Sequence, residues 1–420
     1  MKKFGKYFLF ALLGVMMLMN VACAEGTAKE SWYYQKTEMK TDGQLCTKSR
    51  VSLPASLWET PEYERYEAWD KGAAHGYFIR SAGGTWSYCM IGIPAGASAA
   101  KKVPGIVLVH GGGGTAYQQW VNFWVDRGYA AIAVDTEGTM PNEKTAMNNS
   151  NRSISIKSPH GPLNTAFSDI EKPIEDQWAY HAIADVIAAN SFLRSFAEVD
   201  AGRIGVTGIS YGGFLTWQTI AYDDRFLFAA PVYLSPCQEG TYNEWGRKIM
   251  VGKVAEYWDD ISIIKENPTP ILYVNSNGDQ FASVEATTSS VRQKPNSYMT
   301  LLNGFKHGHD LGGLQVEEIC AFADYFCIGG PGLIKFKTQP FGVDPQAEIE
   351  IPVGVKAESA WAFYATTDVL DSSTAWHILP ADMDKNQITV SFPSTAVSYY
   401  INVIDDRNCE VSSQVVFNKE

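Results

Sequence analysis

The apolar residues of this chain fall into unbroken runs and periodic runs, separated by polar stretches. Val103 to His110 and Tyr129 to Val134 are continuous apolar segments. Runs of that length without alternation predict strands buried on both faces, as in a parallel sheet. A helix expected over 117–127 joins them, so the segment reads as a strand–helix–strand unit. Phe228 to Leu234, Pro270 to Asn275 and Tyr298 to Leu302 predict three further strands. Trp178, Ala182, Ile183, Val186, Ile187 and Leu193 recur at helical spacing and predict a helix over 175–196, and another is expected over 314–327. Upstream, Gly76 to Arg80 and Trp86 to Pro94 flank a turn over 81–85 and predict a hairpin at an edge of the main sheet. The residues before it read as polar and loop-like, with Tyr63, Tyr66 and Trp69 among them.

The pattern changes after Gly329-Gly330-Pro331-Gly332. Short alternating runs at 348–351, 360–364, 388–392, 399–403 and 413–417 predict a small immunoglobulin-like β-sandwich over 331–420. The expected fold class is therefore α/β, a mostly parallel sheet over 25–330 followed by that sandwich. One long polar stretch, 136–172, contains Pro141, Pro159 and Pro162 and leaves the carboxyl end of a strand. Such a segment reads as a lid-like loop over the ligand crevice.

Composition narrows the class. With 420 residues, 45% hydrophobic and 13% aromatic, the chain can bury a large core and hold more than one domain. Its formal net charge of −12 argues against nucleic acid or an anionic membrane surface as partner, since both need a basic patch. Residues 1–24 read as a secretory signal: Lys2, Lys3 and Lys6 precede an apolar run from Phe8 to Met19 that is too short to span a bilayer, and Ala22-Cys23-Ala24 supplies small residues for cleavage. The mature chain is then expected to be exported, periplasmic or extracellular, without a membrane-spanning segment; Cys23 leaves a lipoprotein open. Cys46, Cys89, Cys237, Cys320, Cys327 and Cys409 permit disulfides but are spaced too widely for a stapled scaffold. Cys320 and Cys327 fall two helical turns apart, too far to pair with each other. No Cys-x-x-Cys or His/Cys cluster points to a metal, and neither a metal nor another cofactor is expected.

The chemistry concentrates on Arg203 to Phe214, where an apolar strand tightens through Gly208-Ile209-Ser210-Tyr211-Gly212 into a helix start. A Cβ at Gly208 or Gly212 would crowd the turn. The serine gains an exposed hydroxyl at a helix N-terminus, which is the nucleophile elbow of the α/β-hydrolase fold. Acyl transfer at serine needs a base, an acid that orients the base, and donors for the oxyanion. In that fold they follow in the order serine, acid, histidine, each at a strand's carboxyl end. Asp279 follows the strand ending at Asn275, and His307 follows the strand ending at Leu302. His309 lies two residues further on, and spacing alone leaves it open as the base. Together with Asp310 the histidines would bind metal only with a further ligand cluster, which is lacking. The expected oxyanion donors are the backbone N–H of Tyr211 and one from the glycine run after His110, at Gly112 or Gly113. That run lacks the Lys-Ser/Thr of a phosphate loop, which argues against a nucleotide. His181 reads as a packed histidine and Asp135 as a structural residue.

His110 to Ala116, Arg127 to Asp135, Phe167 to Pro173, Asp200 to Gly213 and His307-Gly308-His309 resemble the acetyl xylan esterase-like α/β-hydrolases. These are exported bacterial proteins related to the dienelactone hydrolase and prolyl oligopeptidase (S9) groups. The resemblance covers about residues 75 to 420, the C-terminal sandwich included. It implies Ser210, Asp279 and His307 as the triad, with the first histidine of His-Gly-His as base. It also implies hydrolysis of a carboxylic ester through an acyl-enzyme, the substrate being a small acyl ester or an acetylated poly- or oligosaccharide. S9 peptidases carry the same elbow, so a serine exopeptidase or amidase is the alternative, weakened because no β-propeller precedes the hydrolase. A non-catalytic carbohydrate-binding protein on this fold is a third reading, opposed by the complete triad.

Overall fold

The computed structural model describes residues 51–142, 152–265 and 267–417, all within one compact unit. The expected signal segment, Cys23 and Cys46 lie outside the described residues. Nine strands form the main sheet: β1 (Tyr63–Lys71), β2 (Ala74–Arg80), β3 (Trp86–Gly92), β4 (Val103–Val109), β5 (Ala130–Val134), and, after the short hairpin β6 (Thr139–Pro141) and β7 (Arg152–Ile154), β8 (Val199–Ile209), β9 (Ala229–Val232), β10 (Ile271–Ser276) and β11 (Ser297–Leu302). Their spatial order is β1-β2-β3-β5-β4-β8-β9-β10-β11. From β5 to β11 every pairing is parallel, and β1, β2 and β3 run antiparallel. The fold is therefore an α/β-hydrolase with a mostly parallel sheet.

Helices cover both faces because the central strands are apolar on both. Where β4 and β8 pair, a Cβ on Gly105 would meet Ile204 and Leu193, so that face carries α2 (Trp178–Arg194). Side chains alternate along a strand. A Cβ on the next residue, Gly205, would strike Phe228, which packs edge-on against Phe322 of α7 (Glu317–Cys327) on the other face. The remaining helices are α1 (Gln118–Asp126), α3 (Tyr211–Tyr222), α4 (Lys253–Trp258), α5 (Val284–Gln293) and α6 (His309–Leu314). The helix expected over 314–327 is α7, which starts at Glu317, and a short helix that was not expected, α6, precedes it from the histidine loop after Gly308.

Two expectations about the start of the sheet change. The hairpin β2–β3 forms, but it is not the edge: β1 is, and it had read as loop. All but two residues of β1 are exposed, so the strand carries charged residues on both faces and shows no apolar alternation to signal it. The 136–172 stretch is also less irregular than expected, since β6 and β7 pair within it.

Beyond β11 the chain forms two antiparallel sheets. One has the order β12 (Lys335–Phe336), β13 (Gln346–Glu350), β17 (Gln387–Thr389), β16 (Asp382–Asp384). The other has the order β15 (His377–Pro380), β14 (Ala357–Ala365), β18 (Ser398–Asp405), β19 (Glu410–Ser412), with β20 (Val416–Phe417) also on β18. This sandwich shares a core with the hydrolase: Phe363, Ala365, Leu370, Tyr400 and Val415 cluster with Val284, Met299 and Leu301. Its strands also finish the sheet edge. Leu301 N–H donates to Ser412 Oγ at 2.7 Å and Leu301 C=O accepts from Asn402 Nδ2 at 3.0 Å, so the open side of β11 is satisfied by sandwich side chains.

Candidate active site

The elbow is as tight as the glycine spacing implies. Ser210 sits at φ 58° and ψ −120°, a conformation that non-glycine residues rarely adopt and that is held here from both sides. A Cβ on Gly208 would lie 2.2 Å from Gly212 O, one on Gly212 would lie 2.0 Å from Val109 O, and one on Gly213 would lie 2.4 Å from Val232 O. Ser210 N–H donates to Val232 O at 3.0 Å, and α3 starts at the next residue. The Tyr211 N–H therefore belongs to the first turn, where a helix has no acceptor of its own.

Asp279 and His307 meet. His307 Nδ1 lies 2.6 Å from Asp279 Oδ2, while Asp279 Oδ1 accepts from the N–H groups of Phe281 and Ala282, each at 2.7 Å. The carboxylate is buried, and its other hydrogen bonds fix which oxygen faces the imidazole. With Nδ1 turned to the acid, Nε2 is the nitrogen left for a reacting hydroxyl. No hydrogen bond joins Ser210 Oγ to His307 in this structure; such contacts often tighten only with substrate bound. The two loops are nonetheless adjacent, because Val232, bonded to Ser210, precedes Tyr233, whose ring stacks on His307 at 4.1 Å. The Tyr233 hydroxyl donates toward Lys306 O at 2.9 Å and accepts from Gly308 N–H at 3.2 Å, pinning the loop on either side of the histidine.

His309 takes a different place. It is buried at the start of α6, with Nδ1 3.1 Å from the Tyr117 hydroxyl and Nε2 against the glycine run. A Cβ on Gly111 would come within 2.2 Å of that Nε2, which is why only glycine fits there. Burial, then the neighbouring His110, His307 and Arg152, hold its pKa down at about 3, so it packs as a neutral ring. His110 is likewise buried: its Nε2 accepts from Thr136 N–H at 3.0 Å, which puts the proton on Nδ1 facing Gly111 O at 2.8 Å.

The glycine run differs from expectation at one position. Gly113 N–H donates to the carboxylate of Glu137, at 3.2 Å and 3.3 Å, so it is not turned to an oxyanion. Glu137 is buried, held by Arg152 and by Asn164 Nδ2 at 3.1 Å, and Arg152 also donates to Gly114 O at 3.0 Å. Gly112 packs directly on the elbow, where a Cβ would lie 2.7 Å from Tyr211 Cδ2. The same 136–172 segment places Phe167 edge-on to Trp178 and Phe214, beside Tyr211. The segment is thus tied to the glycine run through Glu137 and Arg152 and to the elbow through an aromatic plug.

Asp135 is structural: its carboxylate accepts from Glu137 N–H at 3.0 Å and Thr139 N–H at 2.7 Å, and burial raises its pKa. His181 is a half-buried residue of α2 whose pKa burial lowers. Among the described residues no three His, Cys, Asp or Glu side chains converge as a metal-ligand group, and Cys89, Cys237, Cys320, Cys327 and Cys409 are free thiols. No helix among them is long and apolar enough to cross a membrane.

Sequence reading missed Asn277. Its side chain donates to Asn303 Oδ1 and to the Tyr400 hydroxyl, both at 2.9 Å, and accepts from Gly304 N–H at 3.1 Å. Its carbonyl accepts from Trp376 Nε1 at 2.9 Å. One residue therefore ties the Asp279 loop to the His307 loop and both to the sandwich. In sequence it is only an asparagine after a strand, and its partners Trp376 and Tyr400 lie far away along the chain.

The fold, the strained serine and the carboxylate–imidazole pair define a serine hydrolase of the α/β-hydrolase fold. Residues 78–239 match the family model "Acetyl xylan esterase (AXE1)", and residues 168–326 match "Prolyl oligopeptidase family". Each match covers less than half of the chain, which is similar to the acetyl xylan esterases and to the S9 group, and its class is that of serine carboxylic ester hydrolases. Both matches end short of the C-terminal sheets, which the sequence resemblance is expected to include. Among solved structures, the acetyl xylan esterase from Paenibacillus sp. R4 is 19% identical over 60% of this chain and 86% of its own, with a TM-score of 0.48. Acetyl xylan esterase 1 from Thermoanaerobacterium sp. JW/SL YS485 is 16% identical over 63% of this chain and 91% of its own, with a TM-score of 0.46. The Pyrococcus horikoshii acylaminoacyl peptidase is 16% identical over 64% of this chain but only 42% of its own, with a TM-score of 0.43.

Proposed function

We propose that Ser210, Asp279 and His307 are nucleophile, orienting acid and general base in the hydrolysis of acetyl or other small acyl esters of carbohydrate. The observation that carries this reading is the 2.6 Å contact between His307 Nδ1 and Asp279 beside a serine held at φ 58°. Ser210 Oγ attacks the ester carbonyl as His307 Nε2 takes its proton, and the buried Asp279 stabilises the imidazolium. The tetrahedral oxyanion is received by the Tyr211 N–H together with the glycine run after His110, in which the Gly113 N–H is held by Glu137. The alcohol leaves with the proton from His307, and water repeats the sequence on the acyl-enzyme. The acetyl xylan esterase match over residues 78–239 supports the acyl group and the carbohydrate alcohol. The basic and apolar run from Lys2 to Met19 supports export, as a soluble protein or as a lipoprotein through Cys23.

The test is turnover of p-nitrophenyl acetate, with acetate release from acetylated xylan as second readout. Ser210→Ala and His307→Ala are expected to lose about 10⁴-fold or more in kcat, while His309→Asn keeps most of it. Equal activity in Ser210→Ala and the parent would refute the triad. The prolyl oligopeptidase match over 168–326 favours one second reading, an amidase or exopeptidase on the same residues. It would be preferred if aminoacyl anilides outran acetyl esters. Absence of both fluorophosphonate labelling and turnover would leave a non-catalytic carbohydrate binder.

A further inference from the structure

Where the sandwich meets the end of β11, the chain forms an open cavity of about 650 Å³. One wall is the segment Leu302 to Phe305, which leads into His307 two residues later. The opposite wall is the face of β14, β15 and β18 that carries Trp361, Phe363 and Ile378. That face is used in two ways. Phe363 is buried and stacks on Tyr400 at 4.8 Å with the rings 7° from parallel, inside the core shared with the hydrolase. Trp361, two residues earlier and so on the same face, is 40% exposed and has no ring partner among the described residues. Ile378, opposite Phe363 on β15, is 48% exposed. A large indole left open to water in a concavity forgoes the contacts its neighbour makes, and is suited to a ligand with an apolar face.

The polar lining narrows that ligand. Asn303 and Gln315 are exposed, and apart from the Asn303 Oδ1 contact with Asn277 their amides have no partner among the described residues. Glu410 is the one ionisable group of the lining. No cation is present for a phosphate or carboxylate ligand, and the two amides would be wasted on an acyl chain. A neutral pyranose fits all three features: its C–H face lies against indole and its hydroxyls pair with amides and a carboxylate. The cavity is also joined to the reaction site, because Phe305 stacks on Tyr233 at 5.8 Å and Tyr233 stacks on His307 at 4.1 Å.

We propose that this cavity is a sugar-binding subsite, in which Trp361 stacks one unit of a neutral carbohydrate chain whose ester is cleaved at Ser210. The inference rests on the carbohydrate-ester reading for its second half only. The direct test titrates xylohexaose and cellohexaose into full-length Ser210→Ala protein by calorimetry, so that binding is measured without turnover. At least one of the two is expected to bind, and adding Trp361→Ala should weaken it by about tenfold, the scale of one aromatic stacking contact. Gln315→Ala, at an exposed position that the fold does not depend on, should weaken it by about threefold. With Ser210 intact, Trp361→Ala should leave p-nitrophenyl acetate turnover within about twofold and lower kcat/KM on acetylated xylan by about tenfold. Binding of neither oligosaccharide, or binding unchanged in both variants, would overturn the subsite. If wild-type protein fails to turn over p-nitrophenyl acetate, the ester-hydrolase reading fails instead, and the titration still decides whether a sugar site exists.

Discussion

The two edges of the nine-stranded sheet are finished in opposite ways. At β1 the strand stays open to water and is protected by charge pairs on and beside it: Arg65 pairs with Asp70, Arg80 with Glu62, and Lys157 with Glu64. Tyrosine rings hold it down, with Tyr66 edge-on to Phe78 and Tyr63 4.9 Å from Phe192. At β11 the edge is covered: Ser412 and Asn402 bond its backbone, and Met299 and Leu301 enter a core built largely by the sandwich. The difference matters because two of the three proposed catalytic residues sit at only one of these edges. Asp279 leaves β10 and His307 leaves β11, the last two strands, and a charged open edge would leave both loops without a brace. Tyr400 and Trp376, from the sandwich, bond Asn277 two residues before the acid. The C-terminal sheets therefore serve the hydrolase as structure before any ligand is considered.

The largest expected effect breaks that brace. Asn277→Ala removes the side-chain bonds to Tyr400, Asn303 and Gly304 and leaves the shared core in place. A loop displaced by a fraction of an ångström misaligns Asp279 against His307, so kcat should fall by about tenfold to a hundredfold with KM little changed. Steady-state kinetics on p-nitrophenyl acetate checks this. An unchanged kcat would mean that the sandwich covers an edge and does nothing for the acid.

How far the sequence reached follows the same divide. Each apolar run expected as a strand of the main sheet became one of its parallel strands, and the glycine spacing around Ser210 corresponds to real backbone collisions, because both signals are local. Strand order and the loops at strand ends then put Asp279 and His307 within reach of each other. The misses are contacts between residues distant in sequence. β1 escaped because an open edge needs no apolar period. Glu137 and Arg152 lie in a polar stretch that carries no motif, though Glu137, paired with Arg152, occupies the Gly113 N–H. Tyr233 adopts φ 73° without being glycine, and nothing in its neighbours announces that. The separation of hydrolase and sandwich was read from a change in pattern, which is real, but Leu301 and Phe363 belong to one core.

A smaller effect sharpens the covered edge. Glu318 of α7 is buried at the junction, where it accepts from Glu410 N–H at 2.7 Å, and burial pushes its pKa up to about 7. The folded state therefore binds a proton that the unfolded chain releases near pH 4.5, and stability is lost as pH rises through about 7. Glu318→Gln keeps an acceptor and removes the titration. It should raise stability at pH 8 by about 1–3 kcal/mol and change little at pH 4.5, by denaturant unfolding at the two values. A benefit equal at both would show that the carboxyl is not protonated in the fold.

The smallest effect belongs to the open edge, and its pH dependence runs the other way. Arg65 Nη1 bonds Asp70 Oδ1 at 2.8 Å and Gly76 O at 2.7 Å, and the guanidinium, first among its causes, holds the Asp70 pKa down at about 2. For a depressed carboxyl the stabilisation is present above the unfolded value and is lost as pH falls toward about 2. Both side chains are about 30% exposed, so water screens most of the pairing energy. Arg65→Ala should cost no more than about 1 kcal/mol at pH 7, and less in 1 M salt or at pH 2. Its kcat should equal that of the parent, since among the described residues no bond runs from β1 to the loop of Asp279 or of His307. A fall in kcat comparable to that of Asn277→Ala would erase the distinction between the edges. Equal stability of variant and parent at pH 7 would instead mean that the tyrosine rings alone hold β1 to the sheet.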